Sequence, residues 1–318
     1  MLEILLKLLP QQLVNGITIG AVYALIALGY TMVYGVLQLI NFAHGELFML
    51  GAMVAVFLLA ALSISGPVGF GLLVGVLLLL FITSMAFSAT LGVTIERLAY
   101  RPLRHAGRLS PLLSALGVSI FLQNATMVVV GPQPHFLQDS QHEILPTVAV
   151  PFFGLVLTNK QVITLVVATV LMVGLHWLVN YTLFGMAVRA VAEDKDAASL
   201  MGIDVDRIIS MVFVIGPALG AAAGILFALQ FNVALWNMGF IAGLKAFTAA
   251  VLGGIGNIPG AMLGGLLLGV LETVGAGYLP IITNGAIGPE YKDIFAFLIL
   301  ILVLVFRPTG LLGERVAR

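Results

Sequence analysis

The sequence predicts an all-α polytopic membrane protein of about eight transmembrane spans, two of them broken at glycine or proline. Three observations predict it. Hydrophobic residues make up 61% of the 318 residues and charged residues 9%, far from the roughly one quarter charged in ordinary globular chains. Apolar runs long enough to cross a bilayer recur from end to end. Eight of the 28 formal charges (14 basic and 14 acidic) fall in one stretch between two such runs: Arg189, Glu193, Asp194, Lys195, Asp196, Asp204, Asp206 and Arg207.

Composition also excludes partners and chemistries. The net charge is zero and the basic residues form no cluster typical of a nucleic-acid face, so neither DNA nor RNA is expected as a partner. Cysteine is absent, which removes disulfides, thiolate metal sites and a cysteine nucleophile.

In chain order, MLEILLKLLPQQLVNG has no small-residue cleavage site and is expected to be retained. Apolar spans follow at 13–36, 44–62, 68–95, 111–131, 161–181, 209–231, 244–273 and 294–306. The last is short and recruits Tyr291, Lys292 and Asp293 as its interfacial start. Thirty-six glycines fit close helix packing, with Gly220 to Gly224 and Gly260 to Gly264 as local examples. The chain reads as one permease-like unit over 1–318, with halves at 12–182 and 208–306, a charged loop at 183–207 and a tail at 307–318.

Basic residues orient it. The loop ERLAYRPLRHAGR holds Arg97, Arg101, Arg104 and Arg108 and belongs in the cytoplasm. The 183–207 loop, two spans later, is then cytoplasmic, and the tail with Arg315 and Arg318 should be too. Three spans after that loop would leave the tail outside. The conflict resolves if 244–273 enters from outside, turns at LGGIGNIPGAMLGG and returns, because Gly253, Gly254, Gly256, Pro259 and Gly260 break a helix. A second break falls at INFAHGE, around Gly45, in the first half. Paired broken helices are the pattern of transporters with a site near the midplane. Eight spans or about ten shorter transits both satisfy the pattern. An N-inside terminus is the reading consistent with a re-entrant first break. The segment from Gly131 to Asn159, with four prolines, reads as the main external loop.

Within the first break, Asn41, His44 and Glu46 are polar groups near membrane depth, where burial is costly. Either they meet a permeating solute, or Asn41 and His44 cap the half-helices while Glu46 sits at the cytoplasmic interface. Lys245 and Glu272 flank the second break; their spacing predicts opposite interfaces and no direct pair. GGIGNIPG lacks the dinucleotide spacing, and the chain has no Gly-Lys-Ser/Thr phosphate loop, so it is not expected to hydrolyse ATP. His135, Asp139, His142 and Glu143 have ligand chemistry, but nothing fixes them on one face, and no metal site is expected. Asp194 and Asp196 form a single acidic cluster where diphosphate chemistry needs two.

Residues 183–207 read as a short amphipathic helix stopped at Gly202, suited either to a partner's groove or to solvent. Met186, Ala190, Glu193, Ala197, Leu200 and Met201 recur at helical spacing.

INFAHGELFMLGA, IERLAYRPLR, RAVAEDKDAASLMGIDVDRI and AFTAAVLGGIGNIPGAMLGGLLLG together resemble the LivH-type permease subunit of bacterial branched-chain amino-acid ABC importers, over nearly the whole chain. The resemblance implies an inner-membrane permease paired with a second, LivM-type permease, two ATPase subunits and a periplasmic amino-acid-binding protein. It implies no cofactor on this chain, with ATP and magnesium used by the partner subunits. It makes 183–207 a cytoplasmic coupling helix, with Arg189, Ala190, Glu193, Ala197, Ala198 and Gly202 as the expected contact set, and makes the breaks line the substrate path. Asn41, His44, Glu46 and Asn257 are the side chains expected to offer polar groups there. Urea or short amides as the cargo, an ion-coupled secondary transporter, and, last, a membrane enzyme are the competing readings.

Overall fold

The computed structural model describes residues 2–313 apart from 65, 105, 108, 139–143, 153–154, 287 and 308. The elements are α1 (Leu2–Leu37), α2 (His44–Leu62), α3 (Phe70–Ile95), α4 (Leu109–Val130), β1 (Ala149–Phe152), β2 (Leu155–Thr158), α5 (Asn159–Tyr181), α6 (Leu183–Glu193), α7 (Lys195–Leu200), α8 (Val205–Phe231), α9 (Met238–Gly253), α10 (Ile258–Ile282) and α11 (Lys292–Phe306). Seven of these helices are long and apolar enough to span a membrane. Two more apolar helices, α9 with 16 residues and α11 with 15, are shorter than a full span. The expected 244–273 span is thus two helices joined by a turn. The external segment adds a small antiparallel hairpin, with Ala149 opposite Thr158 and Phe152 opposite Leu155.

Most of α1 and α8 is buried, while α3, α4, α5 and α10 keep much of their apolar surface outward. That inside-out distribution suits lipid as the surrounding solvent. Small residues let the central helices approach. Gly16 and Gly20 of α1 face Gly269 and Gly265 of α10, so two GxxxG stripes meet backbone to backbone. Gly224 of α8 lies against the Phe48 carbonyl of α2, and Gly264 of α10 against the Ala249 carbonyl of α9. The glycines of 220–224 and 260–264 therefore do the close packing expected of them.

Helix direction fixes the two faces. Gly16 of α1 meets Gly269 of α10 and Ala24 meets Gly265, so α1 runs against α10, and Gly29, late in α1, meets Gly216 in the first half of α8. The turn after α9 is bound by the tail: Leu311 and Leu312 N–H groups donate to the Leu252 and Gly253 carbonyls, both at 2.9 Å. These are carbonyls that the end of α9 leaves without helical partners. Among the described basic residues, Arg97, Arg101, Arg104, Arg189, Lys195, Arg207 and Arg307 share the face that carries this turn, whereas Lys7, Lys160 and Lys292 lie on the other side and Lys245 is buried within. The richer face is cytoplasmic by the positive-inside bias.

The N-inside expectation fails. Gln11 exchanges hydrogen bonds with Val156 of β2 (2.9 and 3.1 Å), and Gln161 donates to Asn15 at 2.8 Å, so the start of α1 sits on the outward face. The first break is not a re-entrant excursion; α1 crosses completely. Counted from there, α9 goes inward, α10 outward and α11 inward, which leaves the tail inside, as the parity argument requires.

Candidate functional site

Three groups of polar residues stand out against the apolar bundle. The first is where the broken helices begin. His44, in the first turn of α2, lies beside Gly29 of α1 and Gly220, the latter about midway along α8. Gly45 packs against Gly239 and Gly243, in the first two turns of α9. The N-termini of α2 and α9 therefore meet deep in the protein. Gly45, expected as a break residue, is instead the contact at which the two half-helices touch; the chain leaves helix at residues 38–43.

Glu46 is fully buried between these N-termini rather than at the cytoplasmic interface. Ser119 of α4 donates to its Oε1 at 3.0 Å, and its Oε2 lies against Gly239. The positive ends of two helix dipoles favour a carboxylate there. Asn41 accepts from the Ala43 N–H at 3.1 Å and from the Tyr100 hydroxyl at 2.6 Å, so it stabilises the entry to α2 and ties it to the 96–104 loop. His44 stacks edge-on against Tyr30 at 4.8 Å; neither ring nitrogen makes a hydrogen bond of good geometry, although the Ile26 backbone comes near. His44 therefore does not cap a half-helix. Asn41 Nδ2, Glu46 Oε2 and Thr31 Oγ1 are likewise buried without partners. Unpaired buried polar atoms each cost about 1–3 kcal/mol, so their accumulation marks a place kept for more than stability.

Asn257, expected beside them, is elsewhere. It caps α10 at the cytoplasmic turn, accepting from the Gly260 N–H at 2.8 Å and donating to the Leu312 carbonyl at 3.0 Å. Its amide is committed to the turn and the tail. Gly253 ends α9, Gly254 and Gly256 take positive φ (110° and 93°), and Pro259 and Gly260 lie in the first turn of α10. The second break is thus a sharp helical hairpin.

The second group is the cytoplasmic loop. It is two helices rather than one, because Asp194 turns extended (φ −152°, ψ 114°) and its side chain caps α7 by accepting from the Asp196 and Ala197 N–H groups. Gly202 closes the hairpin with φ 84°. Ala198 is buried against its own chain, and Arg189, though exposed, donates to the Val179 carbonyl. Glu193, Ala197 and Gly202 are exposed and Ala190 is partly covered. Leu200 and Met201, at the tip, are 87% and 83% exposed. A cleft of about 590 Å³ lies between α7, Arg104 and the first turn of α8. Lys195 borders it, its pKa lowered by burial and then by the Arg104 charge. Arg104 itself binds both the buried Glu96 and Asp206, joining the 96–104 loop to α8.

The third group overturns an expectation. Lys245 and Glu272 form a direct buried pair at 2.8 Å, and Asp293 joins it at 2.6 Å from the Lys245 ammonium. Asp293 is thus a partner of Lys245 and not simply an interfacial start for α11. Of the candidate metal ligands, Asp139, His142 and Glu143 lie outside the described residues, and no group of three ligating side chains occurs among those described.

This architecture matches known proteins. The family model for the permease component of the branched-chain amino acid transport system matches residues 12–304. The chain is 48% identical over 312 residues to the high-affinity branched-chain amino acid transport system permease protein BraD of Pseudomonas aeruginosa, covering 96% of this chain and 95% of that protein. It is 45% identical to the permease protein LivH of Escherichia coli, with the same coverage of each. A solved structure, PsaBC from Streptococcus pneumoniae in complex with Fab, shares the fold at a TM-score of 0.51 and 14% identity over 97% of both chains. The chain belongs to the permease component family of branched-chain amino acid transport systems.

Proposed function

We propose that this multi-pass membrane protein is the membrane-spanning permease subunit of an ATP-driven importer that carries leucine, isoleucine and valine across the bacterial inner membrane. The observation that carries the reading is full-length correspondence, at 45–48% identity, with curated permeases of that transport class. The geometry supports it. The α6–α7 hairpin presents Leu200 and Met201 on the cytoplasmic face, a shape suited to an ATPase groove. No cofactor is held by this chain; ATP and magnesium act on two ATPase partners, and a second LivM-type permease and a periplasmic binding protein complete the assembly.

Asn41, His44 and Glu46 are the proposed polar wall of the path. When ATP closes the ATPase pair, motion of the α6–α7 hairpin reaches α8 directly and the 96–104 loop through Arg104. Tyr100 carries it to Asn41. The α2–α9 junction is then the element whose two arrangements open inward or outward.

The test is a tagged pull-down from native membranes, comparing wild type with Gly202→Asp and Leu200→Asp. ATPase subunits should co-purify with wild type and fall at least tenfold with Leu200→Asp, which alters an exposed tip and not the fold. Leucine uptake should be competed by isoleucine and not by urea. Uptake by the isolated chain under an ion gradient, with no ATPase present, would overturn the proposal.

A further inference from the structure

In the outward half of the molecule, α1, the end of α8, the 232–237 linker and the starts of α9 and α11 surround a cavity of about 260 Å³. Phe227, Phe231 and Ile241 supply apolar wall, and Lys245, Glu272, Lys292 and Asp293 supply the charge. Ligand pockets for drug-sized molecules run from about 300 to 1,000 Å³, so this one is of the size for a single small metabolite.

The charges do not form a closed structural clamp. Lys245 faces two carboxylates, and Lys292 is the fourth charge of the lining, so the cavity presents two carboxylates and two ammonium groups. Glu272 engages Lys245 through Oε1; its Oε2, near the Tyr23 hydroxyl, has no hydrogen bond of good geometry and is buried. Lys292 is exposed at the rim. A cavity lined by the half-exposed Asp293 carboxylate beside Glu272, by the exposed Lys292 ammonium and by apolar side chains is complementary to a zwitterion with an apolar side chain.

We propose that this cavity binds one apolar amino acid as its zwitterion. The α-ammonium meets Glu272 and Asp293, the α-carboxylate turns to Lys292 at the rim, and the side chain lies against Phe227, Phe231 and Ile241. The assignment rests on the transport function proposed above and adds to it a site on this chain, at some remove from the α2–α9 junction.

The experiment is saturation binding of radiolabelled leucine to the membrane-embedded complex in lipid nanodiscs, washed free of soluble binding protein. Wild type is compared with Glu272→Gln, which removes the ammonium partner, and Ile241→Trp, which fills the cavity and leaves every charge in place. Wild type should bind saturably, with isoleucine competing and 4-methylpentanoate, which lacks the ammonium, failing to compete. Both variants should weaken binding at least tenfold. Absence of saturable binding in wild type, unchanged binding in Ile241→Trp, or equal competition by 4-methylpentanoate overturns the site. Leucine uptake by cells making the same proteins is measured in parallel: uptake without binding in the cavity defeats this inference alone, whereas absence of uptake defeats the transport reading.

Discussion

Single residues in this protein carry two kinds of constraint, steric and electrostatic. A Cβ on Gly45 would collide with the Gly239 carbonyl and Gly243 Cα, both backbone, so Gly45→Ala forces α2 and α9 apart. Overpacking of this kind costs about 1–3 kcal/mol. Gly202 has open space around it but a φ of 84°, so alanine there meets only the left-handed penalty of about 1–2 kcal/mol. Asparagine tolerates that conformation. Gly202→Asn should therefore unfold near the wild-type temperature in detergent while Gly45→Asn falls well below Gly45→Ala; equal behaviour at both sites would show that the α2–α9 contact is not tight. For the buried charges, Lys245→Met strands Glu272 in an apolar interior and should cost about 3–5 kcal/mol, the usual penalty for breaking a buried pair. Adding Glu272→Gln removes the stranded charge, and the double variant should recover more than half of the lost stability in thermal unfolding. If the double variant is no better than the single one, the two residues do not compensate each other. Their pairing was not legible in the sequence, which shows them 27 positions apart. Only the antiparallel return of α10 along α9 brings Glu272 back to the level of Lys245.

At the scale of elements, the breaks were legible because glycine and proline announce themselves, and the parity of basic loops demanded a reversal. The GGIGNIPG turn followed from residue chemistry alone. What stayed hidden was where the half-helices start: no local signal shows that α9 begins beside Gly45, since that depth is set by the 232–237 linker and its contacts with the external segment. The split of the cytoplasmic loop was hidden for a related reason. Its helical periodicity continues through Asp194, and the capping preference of aspartate prevails over that pattern once its side chain reaches the Asp196 and Ala197 N–H groups. The tail is a third case, because its pairing with α9 rests on backbone groups. Asn257 is the side chain that joins them, capping α10 and donating to Leu312. Asn257→Ala should lose about 1 kcal/mol from the cap and free the tail. Hydrogen exchange gives the decisive readout: the amides of Leu311 and Leu312 should exchange at least tenfold faster, with those of α1 unchanged. Protection that persists at both amides would show that the backbone pairs alone hold the tail.

For the whole molecule, direction is the property on which every functional statement depends, since it sets which end of each half-helix faces the cell. The basic residues and the helix contacts agree on one arrangement: the start of α1, the 131–158 segment and the α10–α11 connection outside, and the 96–104 loop, the α6–α7 hairpin, the α9–α10 turn and the tail inside. An N-inside chain would require α1 to run parallel to α10, which the Gly16–Gly269 and Ala24–Gly265 contacts forbid, and would part Gln11 from Val156. The natural sequence has no cysteine, so single cysteines report without background. Lys7→Cys and Glu290→Cys should react with a membrane-impermeant maleimide added to intact spheroplasts. Ser199→Cys and Arg307→Cys should react only in inverted vesicles. Labelling of Lys7→Cys from the inverted side alone would reverse α1 and with it the outward placement of the Lys245 cavity. Labelling of Ser199→Cys from outside would invert the whole bundle and remove the α6–α7 hairpin from the reach of any cytoplasmic ATPase.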